Sequence, residues 1–117
     1  MIVVTGAAGF IGSCLVAELN SRGRRDLIVV DHLVGEDDPK KSNLTGKLYQ
    51  RYFDKAEYLK LLKRDSFDFD VECILHMGAC SSTTLQDADY FEKNNFEYSC
   101  IVGQWAIKNN ARLIYAS

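Results

Sequence analysis

The stretch that most constrains this chain is its first twelve residues, Met1-Ile-Val-Val-Thr-Gly-Ala-Ala-Gly-Phe-Ile-Gly12. Ile2, Val3 and Val4 are consecutive apolar, β-branched residues, the pattern of a strand buried on both faces. The run stops at Thr5, and Gly6, Gly9 and Gly12 follow at every third position. Behind them Ile11, Leu15 and Leu19 recur every fourth residue, which is helical spacing. Strand, glycine turn and helix together place free backbone N–H groups and the positive end of a helix dipole at one point, where a pyrophosphate binds. In that reading Gly6 permits the sharp turn, Gly9 the close approach of the phosphates, and Gly12 the packing of helix on strand. The spacing is G-x-x-G-x-x-G rather than G-x-G-x-x-G. The site prediction therefore rests on the strand before the glycines and the helix after them.

Composition narrows the class. At 117 residues the chain is at most one domain, and the formal charge of −2 gives no basic face for nucleic acid. No apolar run approaches the ~18–20 residues needed to cross a bilayer, and the N-terminus lacks the basic segment of a signal peptide. Cys14, Cys73, Cys80 and Cys100 are widely spaced, with no C-x-x-C, and read as reduced, mostly buried thiols of a cytoplasmic protein.

Along the chain, strand and helix patterns alternate. The first helix is expected from Phe10 to Arg22, stopped by Gly23. Leu27–Val30 is a second buried strand ending at Asp31, close to the ~20-residue spacing from the glycines at which an acid bonds the adenosine ribose. Residues 32–46 are polar and turn-rich and read as a loop, with Lys40 and Lys41 near an adenosine phosphate. Leu48–Phe53 is expected as a third strand. Asp54 and Glu57 resemble a capping box that starts a helix whose apolar face is Tyr58, Leu59, Leu61 and Leu62. Val71–His76 is the fourth strand, running into the small, hydroxyl-rich Met77-Gly-Ala-Cys-Ser-Ser-Thr-Thr84. A long helix over Asp87–Asn110 carries an inner stripe of Phe91, Tyr98, Val102 and Trp105, and Ala111–Ser117 is a fifth strand. Cys73 and His76 fall on opposite faces of their strand and no fourth ligand is evident, so no metal site is predicted. Strands alternating with helices predict an α/β fold with a parallel sheet in the order 3-2-1-4-5, and ligands of such sheets bind at the carboxyl ends of the strands.

Val3–Gly12, Val29-Val-Asp31, His76-Met-Gly-Ala79 and Leu113–Ser117 follow the order seen in extended short-chain dehydrogenases/reductases. Within that superfamily Gly78-Ala-Cys-Ser-Ser-Thr-Thr84, Asn94-Asn95 and Tyr98-Ser99 most resemble the ADP-glycero-manno-heptose 6-epimerase family. The resemblance implies a Rossmann-type domain over residues 1–117, helices on both faces of the sheet, and a cytoplasmic enzyme of lipopolysaccharide heptose biosynthesis. Such enzymes hold NADP and invert C6 of the ADP-linked heptose by transient oxidation and re-reduction. They form homo-oligomers, often pentamers. Carried over, cofactor contacts come from Gly6, Gly9, Phe10, Ile11 and Gly12, from Asp31, His32, Lys40 and Lys55, and from Met77, Gly78, Ala79, Cys80, Ser81 and Asn94. His32 and Met77 stand where the family carries Asn and Glu. Asp31 on its own favours NAD, which Lys40 and His32 offset toward NADP.

The superfamily's catalytic pair is Tyr-x-x-x-Lys, and no tyrosine here has lysine four residues on. No catalytic residue is therefore assigned, and the substrate domain is expected outside this chain. Two other readings stay open: a non-catalytic NAD(P)-binding module, and another nucleotide-sugar epimerase or dehydratase of the same superfamily.

Overall fold

The computed structural model describes residues 1–78 and 88–115, the side chains of 88–94 excepted. The elements in order are β1 (Ile2–Thr5), α1 (Phe10–Ser21), β2 (Leu27–Asp31), a 3₁₀ turn (Pro39–Leu44), β3 (Arg51–Asp54), α2 (Lys55–Lys63), β4 (Cys73–His76), α3 (Ala88–Lys108) and β5 (Arg112–Tyr115). The five strands form one sheet in the order β3-β2-β1-β4-β5. All four pairings are parallel, with Thr5 opposite Val30 on one side and His76 on the other. This is the parallel order the alternation predicts, and the Rossmann-type arrangement the resemblance implies.

Period-two alternation divides the apolar residues between two layers. Val3, Ile28, Val30, Phe53 and Ile74 face α2 and α3, where they meet Tyr58, Leu62, Tyr98, Val102 and Trp105. Ile2, Val4, Leu27 and Val29 face Val16 of α1 and Leu44 of the 3₁₀ turn. On the first face Phe67 packs edge-on against Trp105 at 5.5 Å and Tyr58 at 5.2 Å. Edge-to-face pairs add to the burial of each ring. Tyr98, Val102 and Trp105 thus form the inner stripe of α3; Phe91 lies outside the residues whose side chains are described. Cys73 joins the α1 layer while His76 sits on the α3 side, as alternation requires.

Several boundaries differ from the sequence expectation. Residues 32–46 are not a plain loop: the Asp38 carboxylate accepts the Lys40 N–H and starts the 3₁₀ turn, whose Leu44 is buried under α1. β3 begins at Arg51 rather than Leu48, because the Asn20 side chain takes both the N–H and the carbonyl of Leu48, at 2.8 and 2.9 Å. Those groups are then not available to a strand ladder. α1 closes at Ser21, with Gly23 at φ +84 just beyond. Asp54 caps α2 by accepting the Ala56 N–H, and Glu57 contributes charge to the first turn. The thiols are not mostly buried: Cys14 and Cys100 are exposed and Cys73 is half-buried. On α1 and α3 these two cysteines face outward because the apolar stripe belongs to their neighbours.

A candidate dinucleotide site at the carboxyl edge of the sheet

The glycine turn is built by contacts that leave no room for a side chain at Gly6 or Gly12. Gly6 adopts φ +66, and a Cβ there would lie 2.6 Å from the Met77 carbonyl oxygen. A Cβ on Gly12 would fall 2.0 Å from the Gly6 oxygen, so α1 rests directly on the turn. Gly9 has the mildest constraint, 3.2 Å from that same oxygen. The Gly9 N–H donates to Gly6 and the Ser13 N–H to Gly9, at 3.0 and 2.9 Å. Between them the amides of Phe10, Ile11 and Gly12 have no hydrogen-bond partner among the described residues, and α1 has neither a side-chain cap nor an acid in its first turn. Open N–H groups and an uncompensated helix dipole make this point an anion site. Phe10 is 82% exposed beside it.

Asp31 lies at the end of β2, with its side chain only 10% exposed. Its Oδ2 accepts the Ala8 N–H at 2.8 Å, while Oδ1 accepts the His32 N–H at 2.7 Å and the Lys40 ammonium at 3.1 Å. A carboxylate offers about four lone-pair directions. One on Oδ2 is left over among these contacts, suited to a hydroxyl donor. Lys40 also neutralises the carboxylate, so a phosphate brought to this end of the sheet does not meet a bare anion. The His32 ring is exposed and lies 3.3 Å from Asp54 Oδ1. Lys41 turns away to Glu36.

Across β1, the ammonium of Lys55 stands 4.7 Å above the Tyr98 ring, on the side of α3 where Gly78 also packs. The Met77 N–H donates to the Thr5 carbonyl at 3.2 Å. The Gly78 N–H donates to Thr5 Oγ1 at 3.0 Å and so faces the protein rather than a ligand. His76 is 2% exposed, and burial, with the nearby Lys55 charge, holds its imidazole down at about 4. It stays neutral near pH 7. Beyond it a hollow of ≈ 300 Å³ is lined by Phe96, Ser99, Cys100, Leu113 and Tyr115.

The fold therefore gathers Gly6, Gly9, Phe10, Ile11, Gly12, Asp31, His32 and Lys40 at the ends of β1 and β2. It brings Lys55, Met77 and Gly78 to the ends of β3 and β4. Ala79, Cys80 and Ser81, and the side chain of Asn94, lie outside the described residues. Three supporting residues escaped the sequence reading. Thr5 holds Gly78, Asn43 donates to the Ala8 carbonyl at 2.7 Å, and Tyr52 donates to the Asp31 carbonyl at 3.0 Å. Burial, reinforced by the Asp54 and Asp31 charges, pushes the Tyr52 phenol up to about 12, so it remains a donor. Only Thr5 left a sequence trace, as the hydroxyl residue that ends the apolar run of β1.

Residues 2–117 match the model of the NAD dependent epimerase/dehydratase family. The chain is 48% identical to the ADP-L-glycero-D-manno-heptose-6-epimerase of Alkalilimnicola ehrlichii, an alignment covering 100% of this chain and 36% of that one. It thus spans little more than a third of that relative's length. Among solved structures, the ADP-L-glycero-D-manno-heptose-6-epimerase of Helicobacter pylori superposes with a TM-score of 0.76 at 23% identity, over 99% of this chain and 38% of the other. That likeness establishes the fold. An Agrobacterium tumefaciens short-chain dehydrogenase/reductase superfamily protein with bound NAD superposes at 0.71 and 28% identity, over 100% of this chain and 32% of that one.

Proposed function

The chain belongs to the NAD dependent epimerase/dehydratase family, and from that premise we propose that residues 1–117 are the NADP-binding part of an ADP-glycero-manno-heptose 6-epimerase. The observation that carries the dinucleotide reading is the pairing of three open amides, Phe10 to Gly12, with a neighbouring Asp31 already neutralised by Lys40. The amides and the helix dipole hold the pyrophosphate, and the free direction on Asp31 Oδ2 takes an adenosine ribose hydroxyl. Lys40, with His32 beside it, receives a 2′-phosphate, which favours NADP over NAD. Phe10 and Ile11 shield the pyrophosphate from water. When bound, the nicotinamide supplies hydride acceptance and return for a transient oxidation at C6. Lys55, Met77 and Gly78 line the crevice on that side, and the sequence resemblance adds Ala79, Cys80, Ser81 and Asn94 as further cofactor contacts. The proton-transfer residues and the substrate domain belong to sequence outside this chain. The choice of sugar rests on the whole-chain identity to a heptose epimerase. A cytoplasmic homo-oligomer completes the reading.

The test is turnover by the native protein of ADP-D-glycero-manno-heptose, compared with UDP- and dTDP-sugars. The expected result is conversion to the L-glycero isomer with no net change in NADPH. Turnover confined to UDP- or dTDP-sugars, or one dinucleotide reduced per product, contradicts the assignment.

A further inference from the structure

The candidate site contains a buried polar relay that the dinucleotide contacts leave unused. Thr5 is fully buried, and its Oγ1 lies 2.7 Å from His76 Nδ1 while accepting the Gly78 N–H at 3.0 Å. On the other side of the ring, His76 Nε2 lies 3.1 Å from Ser99 Oγ on α3. A neutral imidazole has one donor and one acceptor, and both are engaged here whichever nitrogen carries the proton. The Tyr98 ring closes over the imidazole edge-on at 4.7 Å. β1, β4 and α3 are thereby joined by hydrogen bonds where the exits of the two strands touch. They touch closely: a Cβ on Gly78 would lie 3.0 Å from Thr5 Oγ1, 3.2 Å from the Tyr98 ring and 3.3 Å from the Gly6 amide. Buried polar groups linked this way favour one arrangement, because breaking a member strands the others without water.

The position of the relay assigns it to one half of the ligand. Asp31 marks the adenosine side at β2, the glycine turn follows β1, and β4 lies on the far side of β1. A dinucleotide with its adenosine at β2 and its pyrophosphate on α1 therefore runs its second nucleoside toward β4. We infer that His76 is a positioning residue for that second nucleoside, acting through Thr5 to fix the Met77–Gly78 backbone against the glycine turn. The inference rests on the dinucleotide reading above and adds a residue that touches no ligand.

The test uses the native protein and two probes: NADPH, which spans the crevice, and adenosine 2′,5′-bisphosphate, which occupies the adenosine side alone. Thr5→Val keeps shape and removes the hydroxyl, His76→Phe removes both ring nitrogens, and Thr5→Ser restores the hydroxyl. Thr5→Val and His76→Phe are expected to weaken NADPH roughly ten-fold, the scale of one stranded buried hydrogen bond. Adenosine 2′,5′-bisphosphate should stay within about two-fold, and Thr5→Ser should return NADPH to within about three-fold of wild type. If His76→Phe does not fold, the two Thr5 variants carry the comparison. If neither Thr5→Val nor His76→Phe folds, Ser99→Ala at the half-buried end reads the same ratio. Equal weakening of both probes, or unchanged NADPH affinity in folded variants, overturns the positioning role. Failure of the wild type to bind either probe overturns the dinucleotide reading itself, and the inference with it.

Discussion

At the scale of single residues, the glycines separate into those that the site needs and those that only end a helix. Gly12 has the Gly6 oxygen 2.0 Å from where a Cβ would stand, whereas Gly23, at φ +84, has nothing within 4 Å. Gly12→Ala must displace backbone and is expected to cost about 3 kcal/mol or more. Gly23→Ala pays only left-handed strain, about 1 kcal/mol. Urea midpoints of the two variants check this, and a Gly12→Ala cost no larger than that of Gly23→Ala refutes the packing role. His76 gives a pH signature. Its pKa is lowered from 6.5 to about 4 in the folded chain, by burial first and by the Lys55 charge second. Below pH 6.5 the unfolded chain takes up a proton that the folded chain refuses until about pH 4. Stability from this residue is intact above 6.5 and falls as the pH drops through that window, by roughly 3 kcal/mol. Denaturation of the wild type between pH 7 and 4 should therefore be steeper than that of His76→Asn by this amount. Parallel curves would mean that the ring is protonated while folded.

At the scale of elements, strand and helix identities were legible because both faces of β1 and β2 are covered, which forces unbroken apolar runs. The helix stripes were equally legible from their spacing. Boundaries set by long-range side-chain bonds were not. Nothing near Leu48 announces that Asn20 will cap its backbone, and nothing near Pro39 announces that Leu44 will slot beneath α1. The candidate site divides the same way. The glycines and Asp31 signal by local spacing, while Asn43, Tyr52 and the His76 relay depend on contacts between distant residues. Tyr58 shows a further limit. Spacing placed it on the apolar face of α2, and it is fully buried there, but its hydroxyl has no hydrogen-bond partner among the described residues. Burial alone pushes its phenol pKa up. Removing an unpaired buried hydroxyl relieves a desolvation cost, so Tyr58→Phe should raise stability by about 1 kcal/mol. A loss of stability in thermal unfolding would reveal a partner for that hydroxyl.

At the scale of the whole molecule, the two faces of the sheet are covered unequally. α2 and α3 lie over one face, and α1 with the 3₁₀ turn over the other, but β5 pairs only with β4 among the described strands. On β5, Ile114 and Tyr115 are 47% and 63% exposed. An apolar strand edge of this kind templates association. A preparation limited to residues 1–117 is expected to sediment as species heavier than its 13.2 kDa, and Ile114→Lys to shift it toward that mass. A wild-type monomer at high concentration would show that the edge is inert. The carboxyl ends of the strands, by contrast, converge on the open amides of Phe10 to Gly12 and on Asp31 with Lys40, the arrangement on which the functional reading depends. The most direct test is fluorescence titration of the native protein with NADPH, alongside Lys40→Met. The account predicts a saturable signal that Lys40→Met weakens roughly ten-fold, as expected for loss of one charge-assisted phosphate contact. A signal that rises linearly without saturation in the wild type would contradict it.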